Sequence, residues 1–130
     1  MARFKELEGE FRVAPFPQKV HVIVSTDIHR SFKKRNHYML ASQEPTATSG
    51  ACTVTNPDHT HIWLFLPFTA VPPTIVHESY HIIAHTLRQN GVGNDDEEVW
   101  AYHLDETFVQ VTQILATARK KGKNGIRKKS

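Results

Sequence analysis

The stretch Thr60–Gly91, THIWLFLPFTAVPPTIVHESYHIIAHTLRQNG, decides the fold. Its opening, Thr60 to Phe68, is rich in β-branched and aromatic residues and is the strongest strand signal in the chain. A short turn leads to Pro72 and Pro73, which suit the first turn of a helix because no amide donor is lost there. The pattern predicts a helix from about Pro73 to Gln89. Asn90-Gly91 stops it, with glycine free to take the left-handed conformation.

Upstream, Ala51–Thr55 reads as a strand and Asn56-Pro57-Asp58 as a turn, so that the two strands form a hairpin. Lys19–Thr26 (KVHVIVST) is a further Val- and Ile-rich strand. Asp27 is placed to cap a helix over roughly Ile28–Ala41, and Ser42–Gly50 is a loop by composition. Residues 1–18, with Pro15 and Pro17, read as an arm or a short edge element. Downstream, Asp95-Asp96-Glu97-Glu98 favour a helix N-terminus. The stripe Ala101, Leu104, Phe108, Val111, Leu115 and Ala118 predicts a helix to about Ala118. Strand, helix, two strands, helix, helix is the order of an α+β domain with a short, mostly antiparallel sheet. It occupies residues 1–118, followed by a basic tail, 119–130, expected to be disordered.

The 130 residues contain 39% hydrophobic and 22% charged side chains, which fits one globular domain. The longest apolar run, Ile62–Leu66, is far too short to span a bilayer, so no membrane association is expected. MARFKELEGE carries three acids and does not read as a secretory leader. A lone cysteine, Cys52, excludes an intrachain disulfide and points to the cytoplasm. All 13 acidic residues precede residue 119, while seven of the 16 Lys and Arg fall within 119–130. A mildly acidic body therefore bears a strongly basic tail. Nine histidines are an excess, and histidine is the commonest metal ligand.

Two of them bear on the chemistry. His77-Glu78-Ser79-Tyr80-His81 is an H-E-x-x-H motif. Residues four apart on a helix share a face, so His77 and His81 can grip one zinc ion. Glu78, about 100° further round the helix, can take a proton from a water bound to that zinc. A catalytic zinc usually has three protein ligands and one open position. Glu97 and Glu98 open the next helix after a short turn, and a carboxylate there can meet the two histidines. The helical wheel sets Glu97 closer to the centre of the apolar stripe.

Residues 60–104 resemble the minimal catalytic core of the gluzincin metallopeptidases: a strand, the H-E-x-x-H helix, and a following helix that supplies a glutamate. They are also similar to small, uncharacterised H-E-x-x-H proteins of bacteriophage genomes, which carry a D-E-x-x-A-Y pattern after a short loop. A phage origin would put the protein in the host cytoplasm. The resemblance implies a zincin-like domain with Zn²⁺ on His77, His81 and Glu98, and Glu78 as general base. It favours Glu98 over Glu97. The thermolysin-like glutamate helix reads E-x-x-S-D, whereas this one reads Glu98-Val99-Trp100-Ala101-Tyr102. Tyr102 thus replaces an acid, whose role passes to another group such as Asp105. Tyr102 itself is a candidate donor to a developing oxyanion.

The expected activity is zinc-dependent hydrolysis of peptide bonds in an intracellular peptide or protein. The alternatives are a zincin-scaffold binding protein without turnover, and a nucleic-acid-associated protein acting through Arg119–Ser130 and the basic residues Arg30, Lys33, Lys34 and Arg35. Among the remaining candidates, His85 continues the 77, 81 series as a residue behind the ligands or on the surface. His59 and His61 share a strand face that can line a substrate cleft. Tyr80 and His103 read as substrate-side donors or, more simply, as ordinary helix residues; His21, His29 and His37 read as surface residues. Cys52 is a small buried hydrophobe.

Overall fold

The computed structural model describes residues 3–35 and 50–128. The elements follow in the order β1 (Glu6–Arg12), β2 (Lys19–Ser25), α1 (Ile28–Lys33), β3 (Cys52–Thr55), β4 (His61–Pro67), α2 (Pro72–Gln89) and α3 (Glu97–Lys128). The strands form one sheet in the order β1-β2-β4-β3. β1 and β2 are antiparallel, β2 and β4 parallel, and β3 and β4 antiparallel. The result is a small α+β fold.

The central position of β4 explains its sequence. Every residue from Ile62 to Leu66 is buried, because both faces of that strand are covered. On one face Val20, Val22 and Val24 of β2 and Ile62, Leu64 and Leu66 of β4 meet Ile75 and Ile82 of α2 and Val111, Leu115 and Ala118 of α3. On the other face Ile23, Val54, Trp63 and Phe65 pack with Ile28 and Phe32 of α1. The Phe32 and Phe65 rings meet edge to face at 5.9 Å.

Local chemistry sets the element ends. Asp27 caps α1 by accepting from Arg30 N at 3.0 Å. Pro72 and Pro73 occupy the first turn of α2. At its other end Gly91 takes a φ of 78°, Gly91 N donates to Arg88 O, and Val92 N donates to Leu87 O. This is a Schellman closure, which needs a left-handed residue at that point. In the β3–β4 turn, Asn56 Oδ1 accepts from Thr60 N and His61 N, and His59 is left-handed with a φ of 58°.

Residues 1–18, read as an arm or a short edge element, contain the edge strand β1. Two expectations change. The buried face of α3 runs through His103, Thr107, Val111, Leu115 and Ala118, while Ala101 is exposed. The stripe is rotated at its start because His103 packs on the Phe16 ring at 5.5 Å. Finally, α3 does not stop at Ala118 but continues to Lys128. Arg119 is held by the body, donating from Nε to Phe68 O and from Nη2 to Ala70 O, both at 2.7 Å. The far part of the helix expected to reach Ala41, the loop 42–49, His37 and the last two residues of the tail lie outside the described residues. Among the described residues, no helix is long and apolar enough to cross a membrane.

Candidate metal centre

The H-E-x-x-H sequence lies in the middle of α2. Ile75, Ser79, Ile82 and Ile83 turn into the core and fix the helix rotation. That rotation puts His77 and His81 on the exposed side and Glu78 at the border of the sheet. The two imidazoles converge: His77 Nε2 and His81 Nε2 are 3.1 Å apart, with the rings edge to face at 4.7 Å. Two Zn–N bonds of about 2.0–2.1 Å at a tetrahedral angle hold their nitrogens about 3.3 Å apart. The pair therefore fits a shared metal ion.

Glu78 is 7% exposed. Its Oε2 accepts from Thr53 Oγ1 at 2.6 Å. Thr53 sits on β3, which is an edge of the sheet among the described strands. Glu78, His81 and His85 line a cleft of ≈ 540 Å³ together with Cys52, Thr53 and Arg88. Burial, reinforced by the charge of Glu78, pushes the Cys52 thiol up to about 11. Cys52 is thus a protonated, half-buried thiol, not a nucleophile.

Glu97 and Glu98 open α3 as expected, and both are exposed. Among the described residues, neither belongs to a group of three ligand atoms with the histidine pair. Tyr102 is 61% exposed. It lines a separate hollow of ≈ 150 Å³ with Phe11, Arg12 and Glu106, apart from the Glu78 cleft. Tyr80 bridges the helices instead: its ring lies 6.0 Å from Trp100, whose Nε1 donates to Gly93 O at 2.9 Å. His103 is buried against Phe16.

The other histidines regroup. His59 and His61 do not share a face, because His59 belongs to the turn and His61 to the strand. His59 Nδ1 lies 3.3 Å from His85 Nε2, and burial with the neighbouring imidazole lowers the His85 pKa below its usual value. His61 is on the opposite face of the sheet, stacked with His21 and Trp63. His21 is half-buried rather than a surface residue. Glu8, Glu10 and His21 form a group that could hold a metal ion, their ligand atoms all lying within 4.8 Å of one another. Sequence reasoning missed this group because strand pairing joins its members. The signal was the alternation Glu6, Glu8, Glu10, which puts three acids on one face of a strand.

Arg30 in α1, and Lys34 and Arg35 just after it, are engaged with β1 and the segment before it. Arg35 donates to both oxygens of Glu6 at 3.0 and 3.1 Å, Lys34 also pairs with Glu6, and Arg30 covers the Phe4 ring at 4.1 Å. No protein-family model matches the chain, and no curated protein or solved structure matches it.

Proposed function

We propose that the protein is a zinc-dependent hydrolase of peptide bonds, with His77 and His81 as metal ligands and Glu78 as general base. The observation that carries the reading is the convergence of the two Nε2 atoms at 3.1 Å beside a buried glutamate anchored by Thr53. Zinc, when bound, supplies Lewis acidity and lowers the pKa of a coordinated water towards ~7. Glu78 takes the proton from the attacking water and returns it to the leaving amine. Thr53 fixes the carboxylate by engaging one of its two oxygens. The edge strand β3 supports an extended peptide substrate, since its outer backbone groups suit pairing with an added strand. Glu98 is the third ligand in this reading, brought in by adjustment of the exposed first turn of α3.

The test is cleavage of unstructured peptide pools, scored by mass spectrometry. Wild-type protein is expected to cut in the presence of zinc and to stop with a chelator. Glu78→Gln should retain zinc and lose at least about 100-fold in rate, the lower end of a general base's contribution. Cleavage that survives Glu78→Gln would refute the assignment of the base.

A further inference from the structure

The sheet face that carries α1, opposite the H-E-x-x-H helix, holds a second convergence of ligand atoms. The antiparallel register of β1 and β2 sets Glu10 directly across from His21, with Glu8 next along the same face. His21 Nδ1 lies 4.0 Å from Glu8 Oε2 and 3.8 Å from Glu10 Oε2. These gaps are too long for direct hydrogen bonds, so the three groups converge without bonding one another. Each carboxylate turns its other oxygen to a cation. Glu10 Oε1 is 3.5 Å from Lys19 Nζ, and Glu8 Oε1 is 3.8 Å from Arg35 Nη2. The Oε2 atoms are left facing the imidazole.

The far side of the His21 ring is occupied too. Its Nε2 is 2.9 Å from His61 Nδ1. When Nε2–H donates across that contact, the lone pair of a neutral His21 sits on Nδ1, towards the two carboxylates. A ligating histidine usually gives its other N–H to such a partner, which fixes tautomer and ring orientation. The ring is also held by stacking on Trp63, with centroids 5.3 Å apart and planes 17° from parallel.

We propose that Glu8, Glu10 and His21 bind a divalent transition-metal cation of the zinc or manganese class, through the two Oε2 atoms and His21 Nδ1, with His61 accepting the Nε2 proton. Two carboxylate oxygens and one imidazole nitrogen suit such ions. Glu8 and Glu10 are 45% and 52% exposed, so an ion can reach the site from solvent. The site is independent of the H-E-x-x-H helix.

The experiment is equilibrium dialysis of the full chain against Zn²⁺, in a His77→Ala/His81→Ala background that removes the other histidine pair. About one zinc per chain should remain. Glu8→Gln/Glu10→Gln should abolish its binding while circular dichroism stays unchanged, since both side chains are on the surface. His61→Phe should weaken binding roughly 10- to 100-fold. The proposal is overturned if the His77→Ala/His81→Ala protein binds no zinc, or if Glu8→Gln/Glu10→Gln leaves its affinity unchanged. Unchanged affinity in His61→Phe removes His61 from the site. Failure of the H-E-x-x-H reading is separate: Glu8→Gln/Glu10→Gln in the otherwise wild-type chain would then bind no zinc.

Discussion

In the proposed hydrolase, Thr53 positions the Glu78 carboxylate, to which its hydroxyl donates at 2.6 Å. It reaches the carboxylate from a different element, and a buried carboxylate without its hydrogen-bond donor is poorly placed and costly. Thr53→Val should keep zinc and lower kcat roughly 10- to 100-fold with little change in KM, and Thr53→Ser should restore the rate. A value of kcat that ignores Thr53→Val would mean that the bond does not position the base. Glu6 shows a different use of a carboxylate. Burial alone would raise its pKa, but hydrogen bonds from Arg35, Lys34 and Ser31 outweigh that and hold it at about 2. A carboxylate depressed in this way stabilises the folded chain above its unfolded value of 4.5, and the contribution disappears as pH falls from there towards 2. Glu6→Gln should therefore cost roughly 1–2 kcal/mol at pH 7 after solvent screening, and the gap from wild type should close near pH 2. Denaturation at several pH values reads this directly.

At the level of elements, what was legible followed from local rules. Pro72, Pro73 and Gly91 bracket α2 because each fixes a backbone torsion or removes a donor, and neither effect depends on distant residues. β4 was legible because a strand covered on both faces must be apolar throughout. β1 was legible only as an arm or a short edge element, since Glu6, Glu8 and Glu10 give it an acidic face whose partners His21, Ser31 and Arg35 come from other elements. The end of α3 was misjudged for the same reason. The basic composition after Ala118 hides that Arg119 satisfies the carbonyls of Phe68 and Ala70 in the β4–α2 turn. Two charged hydrogen bonds from a partly exposed arginine predict a loss of about 1–2 kcal/mol for Arg119→Ala, visible as a melting temperature lower by several degrees. A truncation before Arg119 should carry the same penalty, whereas one that begins after Lys121 should not.

For the whole molecule, the sheet separates two clusters of ligand-type side chains. α2 presents His77, Glu78 and His81 on one side, and β1 and β2 present Glu8, Glu10 and His21 on the other. The first cluster was visible in the sequence because its members lie within one helical turn. Its third ligand was not settled, because whether Glu98 reaches the histidines depends on how the first turn of α3 lies against α2, and no local rule fixes that. The second cluster depends on strand register, which a single sequence does not display. An anomalous difference map at the zinc edge, from crystals of the full chain grown with zinc, shows whether the His77–His81 pair is a zinc site. A peak is expected between His77 Nε2 and His81 Nε2, with Glu98 or Glu97 drawn to it. A map in which zinc is absent from that pair, while both imidazoles are ordered, would contradict the proposed zinc site.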